Sequence, residues 1–256
     1  MKLIDTHCHL NDDILYKKLE EVVDRAKKTG VEKMIVVGWD KKSSERAIKI
    51  ANRFPFIYAA VGVHPNNIEG VDEKTLDDVL NLYQNDKVVA IGEIGLDYHY
   101  VKDETIHEKQ KQIFIKQIEF ANLVGLPISI HSRSAFFDTL EILKKHKPLH
   151  GGVMHCYSGS VESLSEIIDL GLYIGLDGPV TFKNAKTPKQ VAVEVPLEKL
   201  IIETDAPYLS PQQVRGTINE PSNLVYILDE IAVLRSMSKK HLAEIIYKNS
   251  CRLFKL

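Results

Sequence analysis

The chain has 256 residues, 44% of them hydrophobic and 27% charged, a balance that supports a packed core and excludes intrinsic disorder. With 33 Lys and Arg against 35 Asp and Glu the net charge is −2, which excludes the broadly basic surface of a protein that coats nucleic acid but leaves room for one local cationic groove. Three scattered cysteines, Cys8, Cys156 and Cys251, with no CxxC pair, exclude a disulfide framework and a cysteine-held structural zinc.

From the N-terminus, short apolar runs alternate with longer segments of helical periodicity. Leu3–Thr6 reads as a strand and 15–29 as a helix, closed by Gly30 where a left-handed C-cap is needed. Lys33–Val37 and helix 43–53 follow, then Ile57–Val63 and helix 73–84, then Val88–Gly92 and helix 105–123. Pro127–Ile130 opens the second half, followed by helix 134–146. Gly152–Met154 precedes helix 161–169, with Ser160 as N-cap and Gly171 as C-cap. Leu172–Leu176 with helix 187–194 is the weakest unit. Leu200–Glu203 with helix 221–235 is the eighth, and a further helix at 239–248 closes the chain.

The apolar runs are rich in Val and Ile and too short for helices, as buried strands are. Strict alternation implies parallel strands joined by crossover helices. Eight such units, with no linker between them and no GxGxxG or GxxxxGK[ST] loop, predict a single-domain TIM (β/α)8 barrel over 1–256 with an extra C-terminal helix.

Histidines and acids fall at one phase of this repeat. The first strand runs into Asp5-Thr6-His7-Cys8-His9, where a period of two sends His7 and His9 to one side and Cys8 to the other. Glu93 follows the fourth apolar run, His131 the fifth, His155 the sixth and Asp205 the eighth. In a barrel those carboxyl ends meet at one mouth. A buried cluster of this kind without a cation leaves its carboxylates costly to desolvate. Four imidazoles and two carboxylates exceed the needs of one tetrahedral ion and suit two divalent cations bridged by Glu93, with Mg²⁺, Mn²⁺, Zn²⁺ and Co²⁺ all compatible. His99, His107, His146, His150 and His241 sit on helical patterns or in polar loops and are read as background, and Cys8 and Cys156 as packing residues.

The segments DTHCHL, GVHP, GEIGLDYH, GLPISIHSR, GGVMHCYSGS, ETDAPYL and RGTINEP, taken together and in order, resemble the TatD family of metal-dependent deoxyribonucleases in the amidohydrolase superfamily. The resemblance implies that His7, His9, Glu93 and Asp205 surround one cation and that Glu93, His131 and His155 surround the second. It also implies that His64, Arg133, Arg215, Asn219 and Glu220 line or brace the mouth. Two positions depart from the family pattern: Thr217 and Ile218 replace a basic pair, and His99 stands where an aromatic residue is common.

The expected reaction is hydrolysis of DNA phosphodiester bonds by a water that the cations acidify, with Asp205 and Glu93 as catalytic residues and Asp205 accepting the proton. Arg133 offers a planar fork for a phosphate, and Tyr98, Tyr100, Tyr157 and Tyr208 are candidates for stacking bases. Local cationic charge on an acidic chain points to single-stranded ends rather than a long duplex track, and the resemblance implies 3′–5′ exonuclease action. The alternatives are hydrolysis of a small ester, lactone or cyclic amide by the same metals, and a non-enzymatic metal-containing scaffold. No apolar run approaches the roughly 18 residues of a membrane span. A soluble protein without membrane contact is expected, cytoplasmic because its few scattered cysteines suit a reducing compartment, and it is taken to act as a monomer.

Overall fold

The computed structural model describes residues 1–256. Its strands are β1 (Leu3–Cys8), β2 (Val31–Val37), β3 (Ile57–Val61), β4 (Val88–Asp97), β5 (Ile128–Arg133), β6 (Gly152–Met154), β7 (Leu172–Leu176) and β8 (Leu200–Ile202). They form one parallel sheet in the order β1 to β8. β8 returns to β1 through Asp205 N–H to the His7 carbonyl at 2.9 Å and His9 N–H to the Ala206 carbonyl at 2.7 Å. The carboxylate of Asp5 staples the same seam, accepting from the Thr204 amide at 2.9 Å and hydroxyl at 2.6 Å. The expected (β/α)8 barrel is the fold.

Ten α-helices cover it: α1 (Asp13–Tyr16), α2 (Leu19–Lys28), α3 (Lys41–Arg53), α4 (Glu73–Leu80), α5 (Glu104–Val124), α6 (Phe136–Lys145), α7 (Leu164–Asp169), α8 (Thr187–Glu194), α9 (Leu224–Leu234) and α10 (Lys239–Phe254). The longer outer helices show the sheet an apolar stripe, as α2 does with Leu19, Val22, Val23 and Ala26. The weak seventh unit is present as predicted, and Gly30 and Gly171 adopt φ of +95° and +85°.

Three expectations are corrected. The first helix breaks into α1 and α2, because Asp12 caps a short turn through Ile14 N–H. The closing helix runs on to Phe254. Ser160 is not the cap of α7, which begins at Leu164 after Ser163; the Ser160 hydroxyl faces that of Ser163 at 3.3 Å instead.

Alternation along the strands divides the core in two. Met34, Val36, Ile91, Leu172 and Ile202 face the helices. Ile35, Val37, Ala60, Ala90, Val153, Tyr173 and Ile201 fill the barrel interior, and Leu253 and Phe254 at the end of α10 pack against them. No helix is long and apolar enough to cross a membrane, and all three cysteines are free.

Candidate metal centre

The interior phase continues upward into polar residues: Val153 leads to His155, Ile201 to Glu203 and Asp205, Tyr173 to Asp177, and Asp5 to His7 and His9. Small interior residues, Ala60 and Ala90 among them, leave room for these side chains.

Glu93 corrects the expectation that it follows its strand: β4 continues to Asp97, and Glu93 lies within it. Ile91 pairs with Ile128 and Ile94 with Ile130, so three steps along β4 match two along β5. The extra residue is a bulge, which re-aims a side chain, and here it turns Glu93 toward the mouth. Two residues on, Gly95 has φ +141°, and a Cβ there would lie within bonding distance of the His131 carbonyl oxygen, so only glycine lets the two strands close at this point.

The six predicted donors come together. His7 Nε2 and His9 Nε2 are 3.3 Å apart, and Asp205 Oδ1 lies 3.7 and 3.3 Å from them. Glu93 faces two ways: Oε2 is 3.5 Å from His7 Nε2 and 3.8 Å from His9 Nε2, while Oε1 is 2.9 Å from His131 Nδ1 and 3.9 Å from His155 Nε2. Asp205 sits at φ +53°, a conformation that costs a non-glycine residue about 1 kcal/mol and that the β1–β8 seam imposes.

The outer edges of the rings fix their tautomers. His9 Nδ1 faces the Val37 carbonyl at 3.1 Å and must donate to it. His155 Nδ1 donates to Glu203 at 2.8 Å, and His131 Nε2 to Asp97 at 3.1 Å. When these rings are neutral, their inward nitrogens are bare lone pairs aimed at one another and at two carboxylates. Such an arrangement needs protons or cations between its members, and mixed imidazole and carboxylate donors suit divalent metals. His64 differs. Its Nδ1 accepts from Asn66 N–H at 3.1 Å, so the neutral ring carries its proton on Nε2, which points at Glu93 Oε1 from 3.5 Å. Although it lies close enough to count among the metal-type groups, His64 is a donor here rather than a ligand.

Burial and neighbouring charge set the protonation states. Burial disfavours the Glu93 anion, but His64, His131 and His7 hold its carboxyl well below the usual range. Asp205 is likewise lowered against burial, chiefly by the His9 hydrogen bond. His131 resists burial through Asp97 and Glu93 and is pushed up to about 9, and His155 is raised well above its ordinary value by Glu203 despite burial. Burial lowers His7, helped by His155, whose ring stacks on it at 3.6 Å. Burial also lowers His64.

The other predicted residues divide. Arg133 lines the mouth, a cavity of about 730 Å³, and is its only Lys or Arg. Asn219 is buried and braces the rim, donating to the carbonyls of Thr204 at 2.8 Å and Tyr208 at 2.7 Å. Arg215 is turned away onto the Phe182 ring at 3.8 Å. Glu220 is absent from the cavity lining; it accepts from Arg25 of α2 at 2.7 to 2.9 Å because the turn before α9 aims it at that helix. Thr217 is held within its own turn by Val214, and Ile218 is exposed. Two of the four tyrosines are spent on packing: Tyr98 stacks on His107 and donates to Asp138, and Tyr157 is buried and donates to Ser160. Tyr100 and Tyr208 remain open at 67% and 50% exposure.

Four interior residues were not singled out in the sequence: Asp97, Glu203, Asp177 and Trp39. Glu203 and Asp177 stand two residues along the strand phase from Asp205 and Gly175, a signal that the His7–His9 spacing already illustrates.

A barrel with metal-type donors gathered at its mouth and no nucleotide-cofactor loop has the make-up of a metal-dependent hydrolase. The chain is 44% identical over 255 residues to the metal-dependent hydrolase YabD of Bacillus subtilis (strain 168), covering 99% of each. It is 36% identical to the metal-dependent hydrolase MJ1582 of Methanocaldococcus jannaschii, covering 100% of this chain and 98% of that one. The crystal structure of YjjV, a TatD homolog from Escherichia coli K12, matches with a TM-score of 0.94 at 30% identity, covering 99% and 98% of the two chains. The chain belongs to the TatD family, whose model, TatD related DNase, matches residues 4–255.

Proposed function

We propose that this chain is a deoxyribonuclease that removes nucleotides from single-stranded 3′ ends by hydrolysis, using two divalent cations. The observation that carries the reading is the double-faced Glu93, whose two oxygens address two separate sets of imidazoles. One cation would be held by His7, His9, Glu93 and Asp205, the other by Glu93, His131 and His155; Mg²⁺, Mn²⁺, Zn²⁺ and Co²⁺ all fit these donors. Bound there, the cations would supply Lewis acidity for a phosphoryl oxygen and acidify water.

The chain's own groups do the rest. Asp205, its side chain still 13% exposed, takes the proton of the water that adds to phosphorus. His64 holds a proton on Nε2 beside Glu93 and offers it as a hydrogen bond to the reacting phosphate. Arg133, hydrogen-bonded to the Tyr100 hydroxyl at 3.0 Å, binds a phosphate oxygen with its guanidinium fork. The family description, TatD related DNase, supports DNA as the substrate class.

The test is digestion of end-labelled single-stranded DNA by protein loaded with each of the four metals, beside Glu93→Ala and His131→Ala. Shortening from the 3′ end by the native chain, with at least a roughly hundredfold loss in both variants, is expected. Equal activity in all three proteins would sink the proposal.

A further inference from the structure

Trp39 is the single tryptophan of the chain, and it stands on the mouth just beyond β2. Its backbone is fixed from both sides: the amide donates to Ser43 Oγ at 2.8 Å and the carbonyl accepts from His64 N–H at 3.0 Å. The indole meets the His9 ring with centroids 5.3 Å apart and planes at 70°. Tyr208, on the loop after β8, meets the same imidazole at 6.0 Å and 64°. The Tyr208 carbonyl is tied by Asn219, and its hydroxyl reaches Asp12 Oδ2 at 3.3 Å.

Two large rings therefore flank one donor histidine on rigid supports, and neither is consumed by the core. Tyr208 is 50% exposed, Trp39 is half-buried, and both line the cavity. Across the donor cluster the cavity has a different character. There Arg133 lies over the Tyr100 ring, 4.9 Å from its centroid, and covers one of its faces. The mouth is thus aromatic on the His9 side and cationic on the His131 side.

We propose that Trp39 and Tyr208 form a subsite that stacks the terminal nucleobase of the substrate, with the scissile phosphate over the donor cluster and the neighbouring phosphate toward Arg133. The proposal rests on the nuclease reading and gives it a recognition element. Arg133 is the one Lys or Arg lining the cavity, and the charge at the donor cluster acts on the scissile phosphate, so stacking supplies an affinity for the base that neither provides. Because every base presents a π-face, the subsite discriminates a base from its absence rather than one base from another.

The single tryptophan makes the test specific. Emission of the metal-loaded protein, excited beyond the tyrosine absorption, is followed during titration with deoxyadenosine monophosphate and, separately, with 2-deoxyribose 5-phosphate. Saturable quenching by the first and none by the second at the same concentrations is expected. Tyr208→Ala should weaken the nucleotide roughly tenfold, and Phe137→Ala, which removes a ring 83% exposed on α6, should not. In turnover, Trp39→Ala should raise KM roughly tenfold, with the larger part of the loss in KM rather than kcat. An oligonucleotide with an abasic 3′ end should show the same rise with the native protein and little further rise with Trp39→Ala.

Equal quenching by both probes, or a KM indifferent to the terminal base and to both substitutions, overturns the subsite and leaves hydrolysis standing. Base-dependent quenching without turnover of any phosphodiester supports the subsite and overturns the nuclease reading.

Discussion

Glu203→Gln is the most informative single substitution outside the donor set. The carboxylate is fully buried, and it pairs with His155. Oε1 accepts from His155 Nδ1 at 2.8 Å and from Cys156 N–H at 2.7 Å, while Oε2 accepts from the Thr6 hydroxyl at 3.3 Å. A glutamine of the same shape can keep its carbonyl at the Oε1 position and turn its NH₂ to Thr6, whose oxygen can accept. The geometry survives and the charge goes. A hydrogen bond to a charged acceptor is about twice as strong as a neutral one, so each of the two short contacts loses about 1 kcal/mol. Only the His155 contact bears on metal affinity, and loss of such an outer carboxylate partner weakens a metal site by roughly ten- to hundredfold. Calorimetric titration of the metal-free protein with Zn²⁺ or Mn²⁺ reads the affinity. NMR titration of His155 should show its raised pKa falling back. Unchanged affinity together with an unchanged His155 titration would refute the reasoning and reduce Glu203 to a cap for the Cys156 amide.

Gly175→Ala should act through the same carboxylate, since a Cβ there would lie 2.6 Å from Glu203 Oε1; a fall in metal affinity parallel to Glu203→Gln, with a stability loss of about 1–3 kcal/mol, is expected by calorimetry and thermal melting. In the metal-free chain the His131 pKa is raised from 6.5 to about 9, so its contribution to stability is complete below 6.5 and is lost as pH rises through about 9. Thermal melts across that window should show a decline of at most about 3 kcal/mol, and a flat profile would refute the shift. Glu220→Gln should cost about 1 kcal/mol or less, because the Arg25 pair is partly exposed, and should leave turnover intact; a large loss of turnover would return Glu220 to the mouth.

The barrel was legible because eight short apolar runs alternate strictly with helix-periodic segments, even where, as in the seventh unit, the helical pattern is weak. The gathering of six donor-type side chains was legible because imidazoles and carboxylates recur near the carboxyl ends of the strands, with Glu93 brought there by the bulge in β4. What escaped has physical causes. The bulge at Glu93 depends on how β4 registers against β5, a tertiary property with no local signature beyond the glycines around it. Arg215 and Glu220 sit beside site residues in the chain, yet a turn at Pro221–Asn223 and the nearby α2 and Phe182 draw them elsewhere. Tyr98 and Tyr157 follow strand ends as Tyr208 does, and only the surrounding packing decides which rings face the cavity. Glu203 was read as the last residue of a strand, although its two-residue offset from Asp205 already put it on the interior face.

The layer beneath the donors explains how an acidic interior is tolerated in a chain without buried Lys or Arg beside it. Burial pushes Asp5 up to about 7 and Asp177 up to about 8, so the negative charge of these two is reduced around neutrality. Glu93, Asp97, Glu203 and Asp205 are instead each held below their ordinary values, in every case with an imidazole as a close partner. Four anions facing five rings, His64 included, require positive charge, and His131 and His155, both raised by their outer carboxylates, supply part of it. A divalent cation held by this cluster would have to displace those inward protons, because only the neutral imidazole can ligate. Uptake of a metal at these residues would therefore be an exchange of protons for cation, and the same outer carboxylates that hold His131 and His155 protonated would hold them in the orientation a cation needs.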